Sequence, residues 1–321
     1  MSIEPCPASA ATGGQTRVSF QAMASDNEIV VSSVAPVQAR AAALDAVAEV
    51  RRIEHKYSRY RPDSLISRIN AAAGSMQAMV VDEETAGLLD FARQLHDLSG
   101  GRFDITSGPL RRAWDFRAMR EPSDAELAPL LRSIGWPLVE WDGRQVRLTQ
   151  PGMELDFGGI GKEYAADSAC AVLARAGIRN GFVNLAGDLR VLGPRADGTA
   201  WTFGIQHPRN PQRTRAQVRL SQGALATSGD YERFFVTPEG RRCCHILDPR
   251  TGQPVTHWQS ISVIAPSCAA AGALSTIGML LGPDALPFLR AQGAAWFAID
   301  QSGRVQAHDI DFRLIDSKVN P

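Results

Sequence analysis

The chain has 321 residues, enough for one large domain or two ordinary ones, and at this length folding buries roughly three quarters of the surface that the unfolded chain exposes. Lys and Arg number 34, as do Asp and Glu, so no bulk charge draws the chain toward nucleic acid or an acidic membrane surface. With 44% hydrophobic and 21% charged residues, the composition excludes disordered and fibrous classes.

Residues 1–16 read as a flexible arm carrying neither a basic cluster nor an apolar run, so a cytoplasmic location is expected as the sequence stands; an exported form with a removed leader stays open. Glu28 to Val34 reads as a strand, and Pro36 to His55 as an Ala-rich amphipathic helix with proline at its start. Arg61-Pro62-Asp63-Ser64 is a turn and helix cap before Leu65, Ile66 and Ile69. Asp82 caps a helix that Gly100-Gly101 ends, Ser123 to Ile134 is a shorter one, and Val139 to Asp156 holds two or three strands around an Asp142-Gly143 turn. Helical spacing returns from Lys162 to Ala176 and closes at Gly177.

Phe182 to Val263 changes texture to short strands, including Trp201 to Ile205, Val218 to Leu220, Phe234 to Val236 and His245 to Leu247. Trp258 to Pro283 holds no Asp, Glu, Lys or Arg and is long enough to span a bilayer, but Pro266 splits it, so a buried strand followed by a helix from Cys268 to Leu281 is expected. A helix over 283–291 and strands around Trp296 to Ile299 and Val305 to Ala307 complete the chain. No repeat or linker divides it, which predicts an α+β fold, one domain of two packed lobes over residues 17–321. The five cysteines lack disulfide or zinc spacing, and adjacent Cys243 and Cys244 would point to opposite faces of a strand.

Five Gly- or Asp-rich clusters could carry chemistry: Gly100 to Pro109, Asp156 to Lys162, Asn184 to Asp188, Thr227 to Tyr231, and His245 to Gly252. In the second, Gly158, Gly159 and Gly161 precede a predicted helix, so main-chain N–H groups and the Lys162 cation can approach a phosphate there. His245 follows a strand-like run and precedes the Asp248-Pro249 turn, where a side chain can face a cleft. Asp104, Asp188, Asp230 and Asp248 are oxygen ligands or acid/base candidates by type, and spacing does not rank them.

In order and approximate separation these clusters resemble the ApbE family, the FAD:protein FMN transferases. Met23-Ala24-Ser25 is similar to the family's opening Met-Gly-Thr, and Tyr60 to Asn70 to its Tyr-x-x-x-Ser-x-x-Ser-x-x-Asn segment. Phe103-Asp104-Ile105-Thr106 with Gly108-Pro109-Leu110, then Gly158 to Tyr164, Thr227 to Tyr231 and His245 to Gly252 continue the match. The resemblance implies a T-fold-related domain with a nucleotide cleft between its lobes. It also implies use of magnesium and transfer of FMN from FAD to a Thr or Ser hydroxyl of an acceptor protein, releasing AMP. By the same resemblance His245 would be the base, with Asp230 a polar helper. Met23, Tyr60, Phe103, Asp104, Gly158, Lys162, Tyr164 and Ile246 would contact the flavin nucleotide. Gly161 would offer the metal a carbonyl, and Thr276 its hydroxyl.

Four positions depart from the family pattern. The helix carrying Thr276 has an Asp four residues earlier in the family, a metal carboxylate at that spacing, and here that position is Gly272. Ala24 and Ala186 replace glycines, and Glu163 replaces the glycine after Lys162; Glu163 either adds a carboxylate near the phosphates or, the favoured reading, faces solvent as a first-turn helix residue. Retained His245, Asp230 and Thr276 favour an enzyme. Gly272 favours a protein that binds or delivers FAD without transferring it, and hydrolysis of FAD by water is a third possibility.

Overall fold

Ile29, Val30 and Val31 follow one another with no polar residue between them, the pattern of a strand covered on both faces. In the computed structural model, which describes residues 14–32 and 35–315, Ile29 and Val31 face one core and Val30 faces another. Their strand, β2 (Ser25–Ser32), lies between β1 (Gln15–Ala22) and β3 (Asn180–Leu185). The sheet continues through β4 (Asp188–Gly193), β5 (Gly223–Gly229), β6 (Trp258–Ala265), β7 (Ala295–Asp300) and β8 (Val305–His308). Spatial order equals chain order, and every neighbouring pair is antiparallel.

The helices are α1 (Pro36–Tyr57), α2 (Leu65–Ala71), α3 (Glu83–Leu98), α4 (Asp124–Leu131), α5 (Gly161–Arg175), α6 (Cys268–Leu281) and α7 (Ala285–Ala291). Helices α1, α5 and α6 pack together over one face of the sheet. The other face is covered by a three-stranded sheet of Trp201–His207, Asn210–Leu220 and Phe312–Leu314, which contributes Trp201, Ile205, Val218 and Leu220 to the second core. Between α1 and α5 the chain builds α2 to α4 and a small sheet of Met79–Val80, Gln145–Leu148 and Val139–Trp141. Ile66, Leu89 and Val146 from that part share one core with Ile29, Ala46 and Ala166, so the whole is a single α+β domain.

Caps fix the helix starts as the sequence predicts. Ser64 and Asp82 accept from the main-chain N–H of Ser67 and Thr85, and Ser123 forms a reciprocal box with Glu126. Gly100, Gly101 and Gly177 take positive φ at the corresponding exits. The apolar stretch is a strand and helix as expected: α6 lies on β5 and β6. Cys268–Ala291 is long and apolar enough to cross a membrane, and half of its most apolar window is buried within the protein.

Several expectations need correction. Most of the expected arm lies outside the described residues, but Gln15 already opens β1, an edge strand whose polar-apolar alternation at Val18, Phe20 and Ala22 was its signal. The expected strand to Val34 ends at Ser32 among the described residues, with positions 33 and 34 outside them. His245 to Leu247 is no strand; Arg242–Cys244 pairs with Phe234–Val236, and His245 is the first residue beyond. Cys243 and Cys244 do point into different cores. Cys170, Cys243, Cys244 and Cys268 are buried free thiols, while Cys6 lies outside the described residues.

Candidate functional site

Two hairpin tips mark one end of the large sheet. Met23 and Ala24 (φ 54° and 58°) join β1 to β2, and Ala186 and Gly187 (φ 52° and 93°) join β3 to β4. Positive φ at both central residues is the two-residue turn that matches strand twist. Pairing of Asn27 with Leu185 places both tips at the same end, together with Thr227 to Gly229 and the start of β6. Helix α6 leaves the far end and runs back, so that Ser275 and Thr276 bring their hydroxyls 2.8 and 2.9 Å from Ser228 Oγ.

The start of α5 meets this end from the helical side. Gly161 N–H donates to the Phe157 carbonyl at 2.6 Å, closing the loop through Gly158 and Gly159. Gly158 is exposed, and a Cβ on Gly159 would come within 3.1 Å of the buried Phe103 ring, so glycine permits that close approach. Lys162 Nζ bonds the Asp188 carboxylate and, at 3.3 Å, the Leu185 carbonyl, while Asp188 Oδ1 accepts from Thr227 N–H at 3.2 Å. Burial pulls the Lys162 pKa down, but the carboxylates of Asp188 and Glu163 outweigh it and hold the ammonium charged. A fixed cation at a helix N-terminus suits a phosphate.

Glu163 does not face solvent. It is 7% exposed and lies against Gly272, where a Cβ would fall 2.5 Å from Glu163 Cγ. Burial raises its carboxyl pKa well above the usual carboxylate range, with Lys162 pulling the other way and Asp188 adding to the rise. Its Oε2 has no hydrogen-bond partner. The expectation failed because first-turn acids are usually solvated, whereas this one heads the buried row Glu163, Ala166, Cys170 and Leu173.

His245 is anchored by its main-chain N–H to the Arg233 carbonyl at 3.0 Å, and the residue is exposed. Surrounding protein, then the cations of Arg233 and Lys162, lower its pKa to about 4, so the imidazole is neutral at pH 7 and can accept a proton. Asp230 is not its partner: the buried carboxylate takes Arg209 at 2.5 and 2.8 Å and Gln301 Nε2 at 3.0 Å. Asp104 is also committed, accepting from Thr106 N–H and Oγ1 at 2.8 and 2.7 Å and from Trp136 N–H at 2.8 Å.

Met23, Tyr164, Tyr60 and Ile246 make contacts of their own. Met23 N–H donates to Glu54 Oε1 at 2.6 Å, and Tyr164 Oη donates to Glu84 at 2.9 Å. Tyr60 is 70% exposed with the Arg59 guanidinium 5.0 Å over its ring, and Arg59 pairs with Asp156. Ile246 is buried with Trp258 and Ile261. The structure therefore gathers Gly161, Lys162, His245 and Thr276, adds Glu163 and Asp188, and commits Asp104 and Asp230 to other contacts. Sequence reasoning named Asp188 only by residue type and missed Arg209, because an ion pair between a hairpin turn and the end of a strand 21 residues away leaves no local pattern. Cavities of about 450 and 350 Å³ open elsewhere, one beside Lys56 and Arg68 and one beside Glu84 and Tyr164. No cluster of three His, Cys, Asp or Glu side chains forms among the described residues, so a cation here would depend on hydroxyl and carbonyl oxygens as well.

The profile of the ApbE family matches residues 16–297. A relative from Vibrio cholerae, an FAD:protein FMN transferase, is 31% identical over 242 residues, covering 73% of this chain and 72% of its own. The solved ApbE protein of Thermotoga maritima is 32% identical with a TM-score of 0.84, over 92% of this chain and 97% of that one. The solved flavin transferase ApbE of Vibrio cholerae is 27% identical with a TM-score of 0.83 and the same coverage. With its sheet order, its glycine loop before α5 and its match across most of its length, the chain belongs to the ApbE family.

Proposed function

We propose that the protein transfers the FMN half of FAD to a Thr or Ser hydroxyl of an acceptor protein and releases AMP. The observation that carries this reading is the convergence of Lys162, at the start of α5, and a neutral His245 on one sheet end in a chain of this family. The acceptor oxygen would form a bond to the FMN phosphorus as the pyrophosphate bond to AMP breaks. His245 takes the hydroxyl proton, and Lys162 offsets charge on the phosphoryl oxygens.

Magnesium, when bound, would neutralise the charge that builds on the pyrophosphate. The buried Glu163 Oε2, which has no partner, is the observation that fits a cation here, with the Thr276 hydroxyl and Gly161 carbonyl as further oxygen donors. Phe103, Gly158 and Ile246 would shape the nucleotide site, and Met23, Tyr60 and Tyr164 would pack against the isoalloxazine or adenine.

The test is incubation of the protein with FAD, magnesium and an acceptor, reading covalent flavin fluorescence on the acceptor. His245→Ala should slow labelling by about 10²–10⁴-fold while FAD still binds. With the His245 pKa below its ordinary value near 6.5, the unaltered protein should label at a level rate at and above neutral pH and slow as His245 protonates in acid. Intact FAD after prolonged incubation would favour a protein that only holds flavin, and AMP released without acceptor labelling would favour hydrolysis.

A further inference from the structure

Glu163 sits on α5 and Gly272 on the facing α6, and both are buried where the helices touch. A Cβ on Gly272 would lie 2.5 Å from Glu163 Cγ, 3.0 Å from Cδ and 3.1 Å from Oε1. The Glu163 carboxylate therefore fills the space that a side chain at position 272 would enter. Gly272 and Thr276 stand four residues apart on one helix face, so this space is one turn from the Thr276 hydroxyl.

Protein satisfies this group only in part: the Asp188 side chain lies within hydrogen-bond reach of it but, as a carboxylate, is an acceptor like the glutamate itself. Oε2 has no hydrogen-bond partner, and Lys162 Nζ, 3.9 Å from Oε1, is already engaged by Asp188 and the Leu185 carbonyl. A buried carboxyl oxygen without a partner is costly, and a proton shared with a neighbour or a bound cation can offset that cost. Carboxylate, hydroxyl and carbonyl oxygens are the donors that a hard divalent cation selects.

We propose that Glu163 reaches across from α5 to supply the metal carboxylate that α6 lacks at Gly272, the two departures forming one exchange between facing helices. This rests on the magnesium-dependent transfer proposed above. Position 272 is glycine because the glutamate needs its space. The converse follows as well: Gly272→Asp would not repair the site in this chain, since it drives a second carboxylate into the first.

The test measures Mn2+ binding, as a magnesium probe, by electron paramagnetic resonance on the full chain loaded with FAD, with thermal melts and FAD affinity as controls. Glu163→Gln keeps the shape and should weaken Mn2+ at least tenfold while leaving metal-free FAD affinity unchanged; altered shells one step further out already cost 10–100-fold at metal sites. Gly272→Asp alone should weaken Mn2+ and lower the melting temperature. Glu163→Gly with Gly272→Asp should bind Mn2+ more tightly than either single change. Unchanged Mn2+ affinity in folded Glu163→Gln, or recovery of affinity by Gly272→Asp alone, would overturn the assignment and leave magnesium-dependent transfer standing. An unaltered protein that binds no Mn2+ in the presence of FAD would instead overturn that reading together with the assignment.

Discussion

Ala24 and Ala186 occupy hairpin positions with φ of 58° and 52°, where a Cβ meets the following carbonyl and costs about 1–2 kcal/mol. Glycine relieves that strain but regains freedom in the unfolded chain, so Ala24→Gly and Ala186→Gly should each stabilise the protein by about 0.5–1 kcal/mol. The check is the midpoint of urea unfolding, and no gain would show that these turns relax around the methyl group. The departure of both positions from a glycine pattern was legible in the sequence; that they require left-handed backbone was visible only once the pairing of Ala22 with Ser25 and Leu185 with Asp188 was known. Asp230 shows the opposite case. Its place in a motif suggested catalysis, yet Arg209 holds it through two hydrogen bonds in a site where Asp230 is 2% exposed. Arg209→Ala should cost about 3–5 kcal/mol by leaving that carboxylate buried and unpaired, read as a lower unfolding midpoint.

Helix ends were the most legible elements because a cap is local: Asp82 and Ser123 each meet an N–H three residues on, so sequence spacing determines the contact. The faces that helices turn toward each other were less legible, since α5 and α6 bury Glu163 against Gly272 through packing that no window of either helix contains. A similar cross-helix link joins α1 to α3, where Arg52 and Lys56 hold Glu84, which also accepts from Tyr164 of α5. The Arg52 hydrogen bond, opposed by burial and helped by Lys56, lowers the Glu84 pKa to about 2. A depressed carboxylate pKa stabilises the fold fully above the ordinary value near 4.5 and loses that contribution as pH falls toward 2. Glu84→Gln should therefore flatten the loss of stability between those limits. Because the cluster is partly solvated, the effect at neutral pH should stay at about 1 kcal/mol or less, measured by thermal melts across pH.

At the scale of the molecule, composition and motif order were enough to predict one α+β domain, because residues 16–297 carry the family pattern in order. The second layer was not legible: Trp201, Val218 and Leu220 read as isolated strands, and only the sheet shows them closing the face opposite α1, α5 and α6. Neighbouring strands of the large sheet are also neighbours in chain order, which has a consequence for synthesis. Emerging from the ribosome, β1 and β2 can form their hairpin at once, but β3 follows only after α1 through α5 have been made. Through that interval β2 presents Ile29, Val30 and Val31 on an open edge, the kind of surface that recruits a strand from another chain. The vulnerable moment in this protein's life is therefore an early one; α1, translated directly after β2 and packed against both first strands, covers one face of the nascent hairpin, while the edge waits for β3.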